Sequence, residues 1–239
     1  MALTPALYLI PVTISDAPVG SVLPPENLEI CRQIQVFVVE SARTARRFLR
    51  RCDPSFPLDG VEFFELNKHT MAEDIPGFLQ PLREGRPVGV MSEAGCPAVA
   101  DPGAAVVEIA QREGFRVVPL VGPSSILLSL MASGFNGQGF TFNGYLPVEP
   151  AARVRKIKDL ERISATTGLT QIFIETPYRN SKMLQTLVSS LHPDTLLCVA
   201  LAITDPGHES IVTMPVAKWR KHSTDLDRMP AIFLIHRKQ

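Results

Sequence analysis

The stretch "MSEAGCPAVADPG", residues 91–103, lies between the apolar run "RPVGV" and the helix-period segment "AAVVEIAQREG". A connection between a strand and a helix in an α/β unit usually needs about 2 to 6 residues, and this one is longer. Gly95 and Gly103 permit backbone conformations or close approaches that a Cβ would block, while Pro97 and Pro102 restrict the chain around them. The loop is therefore predicted to hold a ligand. The alternative is an ordinary helix start, with Asp101 as N-cap and Pro102 as the first helical residue.

The order of apolar segments predicts the fold class. In the first half, short runs rich in Val, Ile and Phe alternate with helical segments, which include residues 72–84 and 104–114, and this alternation indicates a parallel sheet. The last strands, "LLCVALAI", "SIVTMP" and "AIFLIHR", follow one another without room for long helices, which indicates a mixed sheet. The chain is therefore predicted to be α/β, with an N-terminal domain at 1–120 and a C-terminal domain at 121–239. Segment 118–124 would act as a short hinge.

Composition excludes several classes of protein. The chain has 239 residues, 45% of them hydrophobic, but no apolar run approaches the ~20 residues of a membrane span. Its first residues lack the features of a signal peptide, so we expect a cytoplasmic protein without a membrane partner. The four cysteines form no CxxC pair and the five histidines have no HxxxH or HxH spacing. We therefore expect reduced thiols and no metal.

Positive charge is clustered although the net charge is zero. Arg43, Arg47 and Arg50 follow the i, i+4, i+7 spacing of one helix face, and a second cluster is "RVRKIK" at 153–158. Such clusters are either contacts for the phosphates of RNA or ordinary solvated helix faces.

A cofactor that contains phosphate is disfavoured. The chain contains neither GxGxxG after the first strand nor the GxxxxGK[ST] of a P-loop, and "GFNGQGF" at 134–140 follows a helix and precedes a strand. S-adenosylmethionine has no phosphate and instead carries a sulfonium, an ammonium and a carboxylate.

Four strings share the order and spacing of a known family: "MSEAGCPAVADPG", "VVPLVGPSSILLSLMASG", "FTFNGYLP" and "FIETPYR". They resemble the tetrapyrrole methylase superfamily, in particular its branch of small-subunit ribosomal RNA cytidine 2′-O-methyltransferases, whose strings read approximately SDAGTPxISDPG, VxPxPGPSA, FxFxGFLP and FYESPHR. The match covers most of residues 86–180, with a weaker echo in "LYLIPV" and "VVESARTARRFL". The resemblance implies a homodimer of two-domain chains that bind S-adenosylmethionine in a cleft between the domains.

The chain departs from the ribosomal branch in the half that would bind the acceptor. The family's EDTR is "ESAR" here, its YHEHN is "LNKHT", and its ARELTK is "ALAITDP". TPIGNLxDI, near the first strand, is replaced by "PVTISDAPVGSVLP". The motifs that would bind the cofactor are retained. The resemblance therefore indicates a divergent relative and does not identify its methyl acceptor.

The matching positions imply a set of cofactor contacts. In the first domain these are Ser92, Ala94, Gly95 and Asp101, with Ser124 and Ser125 at the amino-acid end. Asp101 and the two serines could equally serve as helix caps. The second domain would contribute Thr176, Ala202, Pro230 and Ala231.

The leading hypothesis is a methyltransferase that acts on RNA, at a ribose 2′-oxygen. Methyl transfer from a sulfonium is an in-line displacement, and a ribose hydroxyl needs a base or a cation beside it. The candidates are Glu40, Lys68 and Glu93, together with His69, and each could be purely structural. Cys96 is interpreted as a packing group. The alternatives are a methyltransferase of a small or tetrapyrrole-like substrate, and a non-catalytic RNA-binding relative.

Overall fold

The chain folds into two compact units, Met1–Ser124 and Ser125–Gln239. The computed structural model describes residues 3–222, 224–226 and 228–238. Each unit contains a five-stranded sheet, parallel in the first unit and mixed in the second, which confirms the predicted α/β fold class. No helix in the described part of the chain is both long and apolar enough to cross a membrane.

The first unit alternates strands and helices along the chain. Its elements are β1 (Leu7–Ile10), α1 (Pro25–Cys31), β2 (Val36–Val39), α2 (Ala42–Cys52), β3 (Glu62–Glu65), α3 (Gln80–Arg83), β4 (Val88–Met91), α4 (Ala104–Arg112) and β5 (Val117–Pro119). The strand order is β3-β2-β4-β1-β5, and all pairs are parallel.

The central strands of the first unit are apolar because helices cover both faces of the sheet. Successive side chains of β2 point to opposite faces. Phe37 therefore packs in one buried cluster with Leu49 of α2, and Val36 packs in another with Val106 of α4. Packing on both faces holds the strands in place, and it therefore also determines the positions of the loops that follow the strand ends.

The prediction of one helix over residues 72–84 is only partly right. The structure has a 3-10 helix at Ile75–Leu79, followed by the single turn α3. Pro76 and Pro81 lack a backbone N–H, so neither can donate the hydrogen bond that a continuous α-helix needs.

The second unit begins with α5 (Ser125–Ser133) and β6 (Phe140–Tyr145). It continues with α6 (Pro150–Thr167), β7 (Thr170–Ile174), α7 (Asn180–Ser190), β8 (Leu196–Leu201), β9 (Ser210–Pro215), α8 (Val216–Trp219) and β10 (Ala231–His236). The strand order is β6-β7-β10-β8-β9; β6 and β7 are parallel, and the other pairs are antiparallel.

Local sequence signals fix the long helix α6. The Glu149 side chain accepts hydrogen bonds from the backbone amides of Ala151 and Ala152, Pro150 occupies the first turn, and Gly168 ends the helix with a φ of 71°. The buried face of α6 packs against a core that contains the stacked rings of Phe173 and Phe233, whose centroids are 5.9 Å apart.

Candidate functional site

In the first unit, the carboxyl ends of β1, β2 and β4 meet at one edge of the sheet. Met91 is in register with both Ile10 and Val39, so the segments after these three strands leave the sheet side by side. The backbone amide of Glu93 donates a 3.2 Å hydrogen bond to Glu40 Oε1. The structure thus brings together two of the predicted catalytic residues at the edge where open α/β sheets bind their ligands.

The glycine loop, residues 91–103, is attached to β1 through Gly95. Val12 and Gly95 form an isolated bridge, in which the Val12 amide donates to the Gly95 carbonyl at 3.0 Å. Gly95 has a φ of 73°, and a Cβ at this position would lie 3.2 Å from both Ile14 Cγ2 and the Pro123 carbonyl oxygen. The position therefore requires glycine both for its left-handed backbone and for its close packing.

Ser92 and Ala94 belong to the same turn. The Ser92 hydroxyl lies 3.2 Å from the Ala94 carbonyl oxygen and 3.4 Å from the Gly95 carbonyl oxygen, to which it can donate. These contacts hold the start of the loop against the end of β4.

Asp101 organises the second half of the loop. Its Oδ1 accepts hydrogen bonds from the amides of Ala98 (2.9 Å) and Gly103 (2.7 Å). The alternative interpretation of Asp101 as the N-cap of a helix beginning at Pro102 is wrong, because α4 begins at Ala104 with Gly103 as its N-cap. The carboxylate instead stabilises a loop in which Ala98 and Ala100 have positive φ angles of 66° and 61°, conformations that non-glycine residues rarely adopt.

The second carboxylate oxygen of Asp101 lacks the hydrogen bonds that the first one has. Asp101 Oδ2 is buried and accepts no hydrogen bond from the described residues. Burial raises the pKa of Asp101, although the backbone amides of Gly103, Ala98 and Val99 act in the opposite direction. A buried acceptor without a donor is costly unless a ligand or water supplies one.

The carboxylate of Glu40 is also perturbed. Burial raises the pKa of Glu40, the hydrogen bond from the Glu93 amide lowers it, and the negative charges of Asp101 and Glu93 raise it further. Three acidic side chains therefore interact electrostatically at this edge of the first unit. A higher pKa makes a carboxylate a better proton acceptor.

Cys96 contacts the segment that leads to Ser124. Its Sγ lies 3.3 Å from the carbonyl oxygen of Pro123, and burial raises the pKa of its thiol. A thiol with a raised pKa is a poor nucleophile, which is consistent with a packing role. Ser124 is the last residue of the first unit, and Ser125 is the first residue of α5.

Lys68 and His69 lie in the loop after β3, where both side chains are exposed. Their neighbour Asn67 connects this loop to the site, because its Nδ2 donates to the Glu40 carbonyl oxygen at 3.3 Å. The Asn67 Oδ1 also accepts from the His69 amide. The family resemblance assigned no role to Asn67, whose amide orders the loop beside Glu40.

The exposed arginines of α2 differ in whether the guanidinium has a partner in its own chain. Arg43, Arg47 and Arg50 are all exposed, whereas Ala45 and Leu49 are buried on the opposite face. The Arg50 guanidinium donates a 2.6 Å hydrogen bond to the Pro54 carbonyl, so it is tied to its own chain.

Two further arginines, one at the end of α2 and one from the second predicted cluster, have local partners. Arg51 donates to the Thr13 hydroxyl and to the Ala17 carbonyl. Arg153, from the second cluster, is buried and donates to the carbonyls of Pro147 and Val148. Both side chains therefore hold loops in place.

The residues predicted in the second unit also converge on one sheet edge. Ala231, at the start of β10, is in register with Leu201, at the end of β8, and Ile232 is in register with Ile174, at the end of β7. The Ala202 amide donates to the Pro230 carbonyl at 2.9 Å. Thr176, Ala202, Pro230 and Ala231 thus share this edge, and Ala202 has a positive φ of 45°.

A buried polar cluster beside these residues was not predicted from the sequence. The Glu175 side chain is completely buried, and its Oε1 accepts from the Thr176 amide and from Arg179 Nη2, both at 2.7 Å. Asn180, also buried, donates from Nδ2 to the Met229 carbonyl. The signal was present in "FIETPYR", since Glu175 follows a buried strand and has an arginine four residues later.

The described residues contain no group of His, Cys, Asp and Glu side chains that could hold a metal ion. All four cysteines are unpaired thiols, and burial raises the pKa of Cys31 to about 12.

Comparison with known sequences gives a consistent set of relatives. No family model matches the chain. The chain is 27% identical to the ribosomal RNA small subunit methyltransferase I of Vibrio cholerae, over 97% of this chain and 77% of the relative. It is 31% identical to the protein of the same name from Mesorhizobium japonicum, over 87% of this chain and 66% of the relative.

Solved structures share the fold at lower identity. The uroporphyrin-III C-methyltransferase of Thermus thermophilus, in complex with S-adenyl homocysteine, matches with a TM-score of 0.58 and 18% identity, over 97% of each chain. The cobalt precorrin-4 methyltransferase CbiF matches with a TM-score of 0.59 and 19% identity, over 96% of this chain and 94% of that one. The sequence similarity and the shared fold show that the chain belongs to the tetrapyrrole methylase superfamily of methyltransferases, as a divergent relative of the small-subunit ribosomal RNA methyltransferases.

Proposed function

We propose that the protein is an S-adenosylmethionine-dependent methyltransferase that acts on RNA, with a ribose 2′-hydroxyl as the methyl acceptor. The observation that carries this proposal is the glycine loop of the first unit. It lies at the carboxyl edge of a parallel sheet and contains a buried carboxylate oxygen, Asp101 Oδ2, that accepts no hydrogen bond from the described residues.

The charges at this edge fit the cofactor. S-adenosylmethionine carries an ammonium, a sulfonium and a carboxylate, so its net charge at neutral pH is positive. The side chains of Glu40, Glu93 and Asp101 interact electrostatically, and their combined negative charge favours a cationic ligand. Asp101 Oδ2 is suited to accept a hydrogen bond from the cofactor's ammonium group.

The proposed cofactor contacts follow the matching family positions. In the first unit they are Ser92, Ala94, Gly95 and Asp101, with Ser124 and Ser125 at the amino-acid end. Thr176, Ala202, Pro230 and Ala231 are proposed to contact the adenosine part. The family resemblance supports all of these assignments, and the positive φ of Ala202 supports a special backbone at that position.

Glu40 is the proposed base. When bound, S-adenosylmethionine supplies an electrophilic methyl group. A ribose hydroxyl has a high pKa, so its attack is assisted by a carboxylate that accepts the proton. Glu40 is partly buried and has a raised pKa, whereas the other candidates, Glu93 and Lys68, are exposed.

RNA is the proposed substrate class, and the exposed arginines of α2 are the proposed contacts for its phosphates. Arg43 and Arg47 point away from the core, and Arg43 lies in the first turn of α2, two residues after Ser41, which follows Glu40. Phosphates bound along this helix face would lie close to the proposed base.

Methyl transfer tests the proposal directly. Purified protein would be incubated with methyl-labelled S-adenosylmethionine and with small ribosomal subunits or total small RNA, and the RNA would be digested to nucleosides. We expect label in 2′-O-methylated nucleosides and loss of transfer in Glu40→Gln. Calorimetry would show whether this variant still binds the cofactor.

Three results would contradict parts of the proposal. Label only in a small molecule or a tetrapyrrole would replace RNA as the substrate class. Label on a base would show that the methyl acceptor is a base atom and not the ribose 2′-oxygen. RNA binding without measurable affinity for S-adenosylmethionine would indicate a non-catalytic relative.

We also propose that the protein works in the cytoplasm as a homodimer. The relatives that are named ribosomal RNA methyltransferases support the location. The family resemblance supports the homodimer, which sedimentation equilibrium tests.

A further inference from the structure

The first unit contains a cavity at the carboxyl end of β3, away from the glycine loop. Its volume is about 560 Å³, and it lies between the end of β3 and the 3-10 helix Ile75–Leu79. The cavity is open to solvent, and its volume is large enough for one face of a small planar ligand. One side is aromatic: Phe64 and Phe78 both line the cavity, with their rings stacked at a centroid distance of 5.2 Å and an angle of 10°.

The polar residues of the cavity divide by the hydrogen bonds they make. The Thr70 hydroxyl accepts from the Asn67 amide and donates to the Glu65 carbonyl, and the Asn67 side chain bonds to Glu40 and His69. Thr70 and Asn67 therefore shape the loop. Glu65 and Asp74 are the acidic residues of the lining, and Glu65 uses Oε1 to accept from the Ala42 amide at the start of α2.

The cavity is connected to the proposed catalytic edge by two consecutive hydrogen bonds. Asn67 Nδ2 donates to the Glu40 carbonyl oxygen, and Glu40 Oε1 accepts from the Glu93 amide in the glycine loop. On its other side, the bond between Glu65 and Ala42 joins the cavity to the end of α2 that carries Arg43. The cavity, the start of α2 and Glu40 therefore belong to neighbouring segments of the first unit that hydrogen bonds join directly.

We propose that this cavity binds a nucleobase that carries an exocyclic amino group, next to the nucleotide that is methylated or as part of it. The proposal rests on the proposed function, whose substrate it specifies. Planar aromatic side chains bind bases by contact with their rings. Carboxylates accept hydrogen bonds from amino groups, so Glu65 and Asp74 favour cytosine, adenine or guanine. Uracil has no amino group, and its one base-edge donor, N3–H, lies between two carbonyl oxygens that the carboxylates would repel.

Asp74 is the residue to change. It precedes the 3-10 helix and makes no side-chain hydrogen bond as its N-cap, so Asp74→Asn should leave the fold intact. Glu73→Gln is the matched control, because Glu73 is the exposed neighbour and does not line the cavity. Both variants remove one negative charge from the same segment.

Two measurements test the proposal. Cytidine, adenosine and uridine monophosphates would be titrated into ¹⁵N-labelled protein, with the backbone amides of residues 67–78 observed by NMR. Wild type and Glu73→Gln should bind the cytidine or adenosine nucleotide at least threefold more tightly than the uridine nucleotide, and this preference should disappear in Asp74→Asn. Methyl transfer to small ribosomal subunits should fall about tenfold in kcat/KM for Asp74→Asn, with an unchanged affinity for S-adenosylmethionine.

The outcomes separate this proposal from the proposed function. Absence of nucleotide shifts around residues 67–78, or an identical base preference in Asp74→Asn and Glu73→Gln, would overturn the base pocket even if RNA is methylated. Absence of cofactor binding in wild type would overturn the methyltransferase function, while nucleotide binding at Asp74 would still be measured independently.

Discussion

At the scale of single residues, Gly95 gives the clearest test of the glycine loop. Gly95 and Gly114 have nearly the same φ, 73° and 75°, but only at Gly95 would a Cβ meet other atoms within 4 Å. Both Gly95→Ala and Gly114→Ala should reduce the unfolding free energy by about 1 kcal/mol because of the left-handed backbone.

Gly95→Ala should be less stable than Gly114→Ala, because its Cβ presses against Ile14 and Pro123. Only Gly95→Ala should weaken the binding of S-adenosylmethionine. Chemical denaturation and calorimetry of the two variants measure both effects. Equal cofactor affinity in the two variants would remove the loop from the cofactor site.

The raised pKa of Glu40 predicts a pH-dependent gain of stability in Glu40→Gln. Burial and the charges of Asp101 and Glu93 hold the pKa above the ordinary value of about 4.3, so the folded state binds a proton at Glu40 more readily than the unfolded state. Ionisation of Glu40 therefore costs stability as the pH rises through the folded pKa. Below the unfolded pKa this cost disappears.

Glu40→Gln should accordingly be more stable than wild type at neutral pH, and the difference should shrink toward zero at about pH 4. Its amide oxygen can still accept the hydrogen bond from the Glu93 amide. Thermal denaturation over this pH range measures the difference. A constant difference at all pH values would show that the carboxylate is not perturbed in this way.

At the scale of elements, the arginine face of α2 predicts how RNA binding depends on salt. Arg43→Gln with Arg47→Gln should leave the affinity for S-adenosylmethionine intact and weaken RNA binding. The slope of log affinity against log salt should fall by about 0.7 to 0.9 for each phosphate that the variant no longer binds. Stability should barely change, because both side chains are exposed.

Arg50→Gln provides a control in the same helix, because its guanidinium is bound to the Pro54 carbonyl. We expect Arg50→Gln to change the slope of log affinity against log salt less than Arg43→Gln or Arg47→Gln does. Fluorescence anisotropy with labelled RNA at several salt concentrations gives the slopes for wild type and each variant. If the double variant keeps the slope of wild type, the arginines of α2 do not bind phosphates and form an ordinary solvated helix face.

Element patterns in the sequence predicted most of the fold, because strands and helices depend on periodicity over several residues. The parallel sheet of the first unit, the last three strands of the second unit and the position of the glycine loop at a strand end follow from such patterns. The prediction of one helix at 72–84 is only partly right, because Pro76 and Pro81 cannot donate the backbone hydrogen bonds of a continuous α-helix.

Interactions between residues that are distant in the chain could not be predicted from the sequence. The hydrogen bond of Glu40 to the Glu93 amide joins two strand ends, and the bond of Asn67 to Glu40 joins two loops. Likewise, Asp101 looked like a helix cap because an Asp-Pro pair usually starts a helix. Its actual partners lie within a loop whose positive φ angles have no sequence signature at Ala98 and Ala100.

At the scale of the whole molecule, the proposed homodimer needs a surface on which two copies can associate. On α5, Leu127 and Met131 lie four residues apart on one helix face, and 51% and 78% of their respective surfaces are exposed. Large apolar side chains that are exposed together are typical of interaction surfaces. We therefore expect this face of α5 to contribute to the dimer.

Sedimentation equilibrium at micromolar concentration tests both the dimer and this surface. Wild type should sediment with twice the chain mass of 26.2 kDa. Met131→Glu should shift the equilibrium toward the monomer, because a buried unpaired charge is unfavourable in an interface. Met71→Glu is the matched control, since Met71 is also exposed but lies in a loop of the first unit. A monomeric wild type would contradict the dimer, and a dimeric Met131→Glu would move the interface away from α5.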